Sequence, residues 1–366
     1  MDLFCLAGGV TAWGIMNQAQ FESRKRSHME LALNPDAQAM APTGLDRVIL
    51  AHDALPELDF ADVSLETTFL KHKLQTPFFV SGMTAGHAQA REINWRLAQA
   101  CAKRGWVFGV GSQRRELSDR QPLIDSWSEM KLELPELVLL GNLGLSQLIE
   151  SDVATIKKLV KNLSCNAFVI HLNALQEVIQ PEGTPHFKGG LKALQKLVRT
   201  LGVPVILKET GCGFSAKSLR KIKELKLAAV DVSGLGGTHW GRIEGMRALS
   251  QGDPMRASVA QTFAGWGNST VDSVIAAKKT LKAGTEIWAS GGIRTGLDAA
   301  KLLGLGAHRV GFAKPALEAA LLGMEPLLEW MNQVEFELKT ALFCAGYADV
   351  KKLRAQAMSQ GDVILK

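Results

Sequence analysis

Short apolar runs alternate with helix-forming segments along most of the chain, beginning at about residue 77. Each run ends in glycine or a small polar residue, and a segment with helical spacing follows before the next run begins. The eight runs are PFFVSGM (77–83), WVFGVGS (106–112), LVLLGN (137–142), AFVIHLN (167–173), VPVILK (203–208), AVDVSG (229–234), EIWASGG (286–292) and HRVGFA (308–313). Strands buried on both faces give near-continuous apolar runs of this kind. Their alternation with helices predicts a parallel sheet built from βαβ units.

The segments between the runs carry ordinary signals for helix ends. Ser151 and Ser215 can each cap a helix at its N-terminus, whereas Gly105 and Gly284 follow helical patterns as C-terminal stops. Eight strand–helix repeats favour a closed barrel over an open doubly wound sheet. We therefore predict an α/β fold, a single (β/α)8 TIM barrel with an N-terminal extension and extra C-terminal helices.

Three stretches fall outside this rhythm. Residues 1–20 form the N-terminal extension, and residues 21–366 then make up a single barrel domain with its eight strands between 77 and 313. Residues 241–268 are longer than an ordinary βα loop and hold many glycines and polar residues, which fits a lid, an oligomer contact or a plain surface excursion. From about Ala316, one or two helices are expected to pack on the outside of the barrel.

Composition narrows the class of protein. The 366 residues include 46% hydrophobic residues and carry a formal net charge of +6. The basic residues are scattered and not interleaved with aromatic ones, which argues against nucleic-acid binding. Five widely spaced cysteines without a CxxC pair indicate a reducing compartment, so we expect a cytoplasmic protein. No apolar run reaches the roughly 18 residues of a membrane helix. The apolar start lacks the basic region of a signal peptide, and translation begins at Met1 or at Met16.

Glycine-rich turns follow the last two predicted strands. SGGIRTG (290–296) and GFAKP (311–315) stand where barrels often bind phosphate on backbone N–H groups. Arg294 and Lys314 add positive charge there, although glycines that only make tight turns would give the same pattern. GLGGTH (234–239) has histidine where a dinucleotide fingerprint needs its last glycine, and no P-loop sequence occurs. The two turns therefore predict a phosphate site that is neither a dinucleotide fingerprint nor a P-loop.

Two further segments carry charged residues of interest. HLNALQE (171–177) ends in Glu177, a hard oxygen ligand that can hold Mg²⁺ together with a diphosphate. A solvated glutamate at a helix start, where negative charge is favourable, gives the same pattern. SRKRSH (23–28) offers Arg24, Lys25 and His28 as a phosphate grip, and a solvated charged face is the alternative. Zinc and triad chemistry are not supported, because no HExxH and no nucleophile elbow occurs.

The chain resembles the type 2, FMN-dependent isopentenyl-diphosphate delta-isomerases. The resemblance runs from about Phe21 to the C-terminal helices. The segments that carry it occur in the family's order: SRKRSH, SGMTAGH, GVGSQRREL, HLNALQE, LKETGCGFS, DVSGLGGTHW, SGGIRTGLDAAK and LGAHRVGFAKP. It implies an enzyme of isoprenoid biosynthesis that interconverts isopentenyl and dimethylallyl diphosphate by protonation and deprotonation. Reduced FMN would carry the proton chemistry, Mg²⁺ would hold the diphosphate, and NAD(P)H would serve only to reduce the flavin. Family members are usually tetramers or octamers, so a homo-oligomer is expected.

The resemblance also implies roles for individual residues. FMN is expected on Met83, Thr84, Ala85, Ser112, Asn142, Lys208, Ser233 and Thr238, and its phosphate on Gly291, Gly292, Ile293, Arg294, Ala313 and Lys314. The substrate diphosphate is expected on Arg24, Lys25, His28, Ser112, Gln113 and Arg114. Gln176 is expected beside the reacting carbons, His171 and Asn173 line the substrate side, and Glu177 holds Mg²⁺.

One position departs from the family pattern, and two other functions stay open. The usual MTGG is MTAG here, with Ala85 in place of a glycine. If that position needs a positive φ, the alanine strains the loop beside the flavin, so we expect an effect on flavin affinity without loss of activity.

An FMN-barrel oxidoreductase acting on a 2-hydroxy acid would use the same phosphate turns, with His239 as its base. A non-catalytic flavin-binding barrel is the other alternative.

Overall fold

The computed structural model describes residues 27–83, 88–118 and 129–366. Several predicted features lie outside these ranges. They are the extension 1–20 with both candidate start positions, Arg24 and Lys25 of the basic segment, and Thr84 and Ala85 of the expected flavin site.

Eight parallel strands close into a barrel. The strands of the chain are β1 (Val48–Leu50), β2 (Thr67–Phe69), β3 (His72–Leu74), β4 (Phe78–Val80), β5 (Val107–Gly109), β6 (Leu139–Gly144), β7 (Ala167–His171), β8 (Val205–Lys208), β9 (Ala229–Asp231), β10 (Glu286–Ala289), β11 (Arg309–Phe312) and β12 (Val363–Leu365). Strands β4 to β11 follow one another around the barrel, and β11 pairs with β4 to close it. Because all eight run the same way, their C-terminal ends meet at one rim. The predicted (β/α)8 barrel is confirmed.

Helices connect the strands and cover the outside of the sheet. They are α1 (described over 27–33), α2 (Ala88–Arg104), α3 (described over 129–133), α4 (Leu145–Glu150), α5 (Val153–Leu163), α6 (Ala174–Ile179), α7 (Gly190–Thr200), α8 (Ala216–Ile222), α9 (Trp240–Ser250), α10 (Pro254–Thr262), α11 (Thr270–Thr280), α12 (Gly296–Gly304), α13 (Lys314–Leu322), α14 (Met324–Cys344) and α15 (Val350–Gln360). Among the described residues, no helix is long and apolar enough to cross a bilayer.

One of the two predicted N-caps is confirmed and the other is wrong by one residue. Ser215 caps α8, as expected, by accepting a hydrogen bond from a backbone amide of the first turn. Helix α5 is capped by Asp152, whose carboxylate accepts from the Thr155 amide at 2.7 Å. Ser151 instead ends α4. Adjacent Ser and Asp are both good caps, and only the backbone geometry decides between them.

The structure also corrects three expectations: where one helix ends, what residues 241–268 form, and how many helices follow Ala316. Gly105 ends α2 with a φ of +65°, as predicted, but Gly284 lies in the turn before β10, after α11 has already ended at Thr280. Residues 241–268 contain α10 and all of α9 except its first residue, Trp240, and the sequence predicted neither helix. The chain after Ala316 contributes most of α13 and all of α14 and α15, one more helix than expected.

A hairpin covers the N-terminal end of the barrel. Strands β2 and β3 form it, and the guanidinium group of Arg309 joins it to the sheet. This side chain is 1% exposed, lies 4.9 Å from the ring centre of Phe69 and 5.8 Å from that of Trp288, and pairs with Glu286 at 3.2 Å. It also donates to the Thr67 hydroxyl at 3.0 Å. Because aromatic and charged groups fill this end, access to the barrel is left to the opposite rim.

Candidate active site

Two adjoining cavities lie at the C-terminal ends of the barrel strands. The predicted residues that line the first are His28, Met83, Ser112, Arg114, Asn142, His171, Asn173, Gln176, Glu177, Lys208, Thr238, Ala313 and Lys314. Those that line the second are Met83, Lys208, Ser233, Thr238, Gly291, Gly292, Ile293, Arg294, Ala313 and Lys314. The cavities are neighbours because five of these residues belong to both walls. Gln113 is the exception among the predicted site residues that the structure describes.

Gln113 lies behind the wall of the first cavity. It is 1% exposed, its Oε1 accepts from the Asn142 amide at 3.1 Å, and its Nε2 donates to Glu116 at 2.9 Å. The Asn142 side chain in turn donates to the Val110 carbonyl at 3.0 Å, and its Oδ1 lies 2.8 Å from His171 Nδ1. In this geometry the Gln113 side chain does not line the first cavity, and its expected contact with the substrate stays a prediction. Gln113 instead supports Asn142, which orients the His171 ring.

Glycine turns form the floor of the second cavity. Gly291 has a φ of +102° and Gly292 a φ of +76°. A Cβ atom on Gly291 would lie 2.2 Å from the Gly234 carbonyl oxygen, and one on Gly237 would lie 2.5 Å from the Gly292 nitrogen. Main chain therefore packs directly on main chain here, and no side chain fits between the turns. The turn that contains Lys314 borders the same cavity. Such a surface of backbone and positive charge suits a phosphate group.

Lys208 lies at the boundary between the two cavities, at the end of β8. Its Nζ is 3.2 Å from Asp231 Oδ2 and donates to the Glu209 carbonyl at 2.9 Å. Register explains the first contact, because Lys208 is directly opposite Asp231 on the neighbouring strand β9. The position of the ammonium group is therefore set by the Asp231 carboxylate and the Glu209 carbonyl.

The turn after β8 is held by a carboxylate that sequence reasoning did not single out. Glu209 Oε2 accepts from the amides of Thr210 at 2.6 Å and Gly213 at 3.0 Å. Burial raises the pKa of Glu209 to about 7, although these amides and that of Cys212 oppose the rise. The Gly213 amide also donates to the carbonyl of Ser233, a non-glycine residue with a φ of +36°. Glu209 therefore shapes the wall without facing the cavity as a charge.

The amide of Gln176 has a defined orientation in the first cavity. Its Oε1 accepts from Asn173 Nδ2 at 3.2 Å, and its Nε2 donates to Glu244 Oε1 at 3.0 Å. The same Asn173 nitrogen donates to Glu177 Oε1 at 2.9 Å, and the Thr184 amide donates to Glu177 Oε2 at 2.6 Å. Residues 173–177, at the start of α6, therefore form one hydrogen-bonded unit.

Glu244 is the main functional candidate that the sequence did not reveal. It lies on α9, its side chain is fully buried, and its Oε1 is 2.8 Å from His28 Nε2. Arg247 pairs with its other oxygen and also with Glu182, at 2.8 Å. Burial alone would raise the pKa of Glu244, but His28, Arg247 and Gln176 outweigh it and hold the pKa at about 2. Glu244 is therefore a stable carboxylate that connects His28 to Gln176.

Glu177 is the carboxylate among the described residues of the first cavity wall that could bind a metal ion. In the described part of the chain, no three His, Cys, Asp or Glu side chains are arranged to hold an ion. Glu177 lines the first cavity as a carboxylate that is 6% exposed. Mg²⁺ commonly uses one or two carboxylates and takes its remaining ligands from water and substrate phosphates. Glu177 fits that pattern.

His239 is not available as a base. It is 0% exposed, and its Nδ1 accepts from the Arg242 amide at 3.1 Å, which caps α9. Burial lowers the pKa of His239 below its ordinary value. The next residue, Trp240, lines both cavities and contacts the ring of His28 edge-on at 5.4 Å.

Comparisons with known proteins agree with this geometry. Residues 170–360 match the FMN-dependent dehydrogenase family. An isopentenyl-diphosphate delta-isomerase from Legionella pneumophila (strain Corby) is 50% identical over 93% of this chain and 98% of its own. The proteins of that name from Bdellovibrio bacteriovorus and Halobacterium salinarum are 47% and 37% identical, over 94% and 92% of this chain and 99% and 93% of theirs.

Solved structures show the same fold at low sequence identity. A mandelate oxidase mutant with a monooxide FMN adduct has a TM-score of 0.60 at 17% identity, covering 94% of this chain and 99% of its own. Mandelate oxidase with benzoyl-formic acid has a TM-score of 0.59 at 18% identity, covering 96% and 98%. These likenesses support the barrel, whereas the much closer sequence relatives decide the family. The chain therefore belongs to the type 2 isopentenyl-diphosphate delta-isomerases.

Proposed function

We propose that this protein interconverts isopentenyl diphosphate and dimethylallyl diphosphate with reduced FMN and Mg²⁺. The observation that carries the proposal is the pair of adjoining cavities. One has a floor of glycine backbone, and the other holds an oriented amide beside a buried carboxylate. The glycine backbone of the second cavity suits a flavin phosphate, and the first cavity suits a small diphosphate.

FMN would occupy the second cavity and extend to the boundary with the first. Its phosphate would contact the glycine turns together with Arg294 and Lys314, because all of them line the second cavity. Lys208 would meet the polar edge of the flavin ring, since its ammonium group is held where the cavities meet. Asn142 and Ser112 would border the ring from the wall of the first cavity.

The substrate diphosphate would lie in the first cavity. His28 and Arg114 line it, Arg114 would supply positive charge, and Glu177 would hold Mg²⁺ jointly with the diphosphate. Arg24 and Lys25, outside the described residues, remain expected partners of the same group. Binding energy from this remote anchor positions the reacting carbons.

The proton transfers need a group that the cavity walls do not supply as a side chain. Bound reduced FMN would supply a proton donor and acceptor, with NAD(P)H needed only as the initial reductant. Gln176 would orient the substrate or relay the proton, because its amide is held by Asn173 and Glu244. Glu244 fixes the orientation of this amide, and Arg247 holds the carboxylate in place.

Oxidation of a 2-hydroxy acid is the less favoured function. It needs a base that removes a proton from the substrate, and His239 is buried and already accepts a backbone hydrogen bond. The contacts among Asn173, Gln176 and Glu177 would also have no role in that reaction.

The proposal is tested first by the cofactor. Purified protein should show the visible spectrum of a flavin, or acquire it on adding FMN. It should isomerise isopentenyl diphosphate anaerobically only after reduction by dithionite and only with Mg²⁺. A protein that ignores FMN, or that is reduced by mandelate and not active on isopentenyl diphosphate, contradicts the proposal.

Two variants then test the assignments in the first cavity. Gln176→Ala should lower kcat about 100-fold with FMN still bound, because a misplaced reacting group costs about that much. Glu177→Gln should raise the Mg²⁺ concentration for half-maximal activity roughly tenfold. Glu224→Gln removes a carboxylate from an exposed ion pair with Lys282 and should change neither. Wild-type kinetics in both cavity variants would refute these two roles.

A further inference from the structure

The charge at the boundary of the two cavities depends on a buried residue that lines neither of them. Asp231, at the end of β9, is 1% exposed, and its Oδ2 lies 3.2 Å from Lys208 Nζ. Its other oxygen accepts from the Ser290 hydroxyl at 2.8 Å and from the Ser233 amide at 3.3 Å. Three neighbouring strand ends therefore converge on one carboxylate.

We propose that Asp231 is a positioning residue that holds the Lys208 ammonium group at the flavin site, with Ser290 fixing the carboxylate. This inference rests on the proposed function, because it takes FMN as the group that Lys208 meets. Asp231 itself is beneath the cavity wall and is not expected to touch the cofactor.

Burial makes this arrangement necessary. The side chain of Lys208 is 11% exposed and that of Asp231 is 2% exposed, so neither charge is hydrated to any large extent. A buried charge that loses its partner is strongly unfavourable. Besides Asp231, Lys208 Nζ has a hydrogen bond to the Glu209 carbonyl at 2.9 Å. A neutral carbonyl cannot replace a carboxylate as partner of a buried ammonium group, so without Asp231 the lysine would leave its position.

The register of the sheet makes the contact a property of the fold. Lys208 and Asp231 are paired residues on adjacent parallel strands, so their side chains point to the same face of the sheet. Ser290 follows β10, the next strand, and reaches the same carboxylate. The three side chains thus keep their relative places as long as the barrel is formed.

Asp231→Asn tests the proposal through FMN affinity and flavin reduction potential. Loss of positioning should weaken FMN binding roughly tenfold, within the range of coupling between contacting residues. The reduced anionic flavin should lose more affinity than the oxidised one, so the potential should fall. A tenfold difference between the two losses corresponds to about 30 mV in a two-electron couple.

A double-mutant cycle shows whether Asp231 acts through the lysine. In a Lys208→Met background, Asp231→Asn should produce no further loss of affinity and no further fall in potential. If Asp231 acted on the flavin only through its own negative charge, its removal would tighten binding of the anionic cofactor and raise the potential in both backgrounds. That result, additive losses, or unchanged affinity would overturn the proposal.

Ser290→Ala is the second variant, in case Asp231→Asn does not fold. It keeps both charges and removes only the hydroxyl that fixes the carboxylate. It should shift affinity and potential in the same direction by a smaller amount, and unchanged values would contradict the proposal.

Glu224→Gln, at an exposed ion pair, is the matched control for loss of a carboxylate. If the wild-type protein binds no FMN, the proposed function fails, whereas normal FMN binding with unaffected variants rejects only this inference.

Discussion

Two glycines with nearly the same φ angle allow the phosphate site to be tested apart from general strain. Gly291 has a φ of +102° and Gly284 a φ of +97°. Alanine at either position takes on a conformation that L-residues avoid, at a cost of about 1–2 kcal/mol. The surroundings differ. A Cβ on Gly284 meets no atom within 4 Å, whereas one on Gly291 would lie 2.2 Å from the Gly234 carbonyl oxygen and 2.6 Å from its nitrogen.

The difference between the two substitutions therefore measures the close approach alone. Ordinary Cβ contacts are 3.4–4 Å, so the turns that contain Gly234 and Gly291 must separate by more than 1 Å in Gly291→Ala. Overpacking of this kind costs roughly 1–3 kcal/mol beyond the conformational term. Because 1.4 kcal/mol is a factor of ten in affinity, FMN should bind at least about tenfold more weakly to a displaced cradle.

Urea unfolding of the apoprotein and fluorescence titration with FMN measure the two quantities. Gly284→Ala should lose about 1–2 kcal/mol of stability and keep wild-type FMN affinity. Gly291→Ala should lose more stability and also bind FMN weakly. Equal FMN affinity in the two variants would show that the turns at Gly234 and Gly291 do not form the phosphate site.

Two other substitutions separate stability from function. The pKa of Glu244 is held at about 2, below its ordinary value of 4.5. Its ionised form therefore stabilises the fold above about pH 4.5, and this contribution, about 3 kcal/mol, is lost as pH falls towards 2. In urea unfolding between pH 5 and 3, Glu244→Gln should lack this part of the acid destabilisation, and an unchanged slope would contradict the assignment. Arg309→Met should cost about 3 kcal/mol, because it removes a buried guanidinium group that pairs with the partly exposed Glu286 and donates to the β2–β3 hairpin. Its FMN affinity should equal wild type, since Arg309 lies at the other end of the barrel.

The barrel was predictable because its strands follow one simple rule. A strand that is buried on both faces of the sheet is largely apolar, so β6 and β7 can be recognised from their own sequence without knowledge of the strands beside them. The glycine turn after β10 was found for a similar reason, since the positive φ values of Gly291 and Gly292 and their close backbone contacts exclude other residues. The apolar strand pattern and the glycine pattern are both local in sequence, and both arise because certain residue types are excluded at a position.

The missed helix α9 shows where that rule ends. Its buried face includes Glu244 and Arg247 as well as Ile243 and Ala248, so the apolar stripe that marks a surface helix is interrupted by charge. The segment therefore has the composition of a polar loop. Only the fold brings Glu182 and His28 to these charges, from positions far away in the sequence. A buried ion pair between distant segments leaves no periodic pattern.

Sequence neighbours can also face opposite ways. Ser112 and Arg114 line the first cavity, but Gln113 between them is 1% exposed and supports Asn142 from behind. The turn that begins at Gln113 is a 3-10 helix, in which successive side chains point about 120° apart. A motif that matches a family therefore identifies which residues are needed near the site, and the backbone conformation determines which of them reach the ligand.

The two sides of the site are built on the same physical principle. On one side Arg247 holds Glu244, which orients the Gln176 amide, and on the other Asp231 holds the Lys208 ammonium group. In each pair both charged groups are largely buried, so removing either partner leaves the other charge with less compensation, which is costly. A site fixed in this way loses little further freedom when ligands bind, which preserves their binding energy for the reaction. Substitutions that keep the volume of Arg247 or Asp231 but remove its charge should therefore impair function even where the barrel still folds.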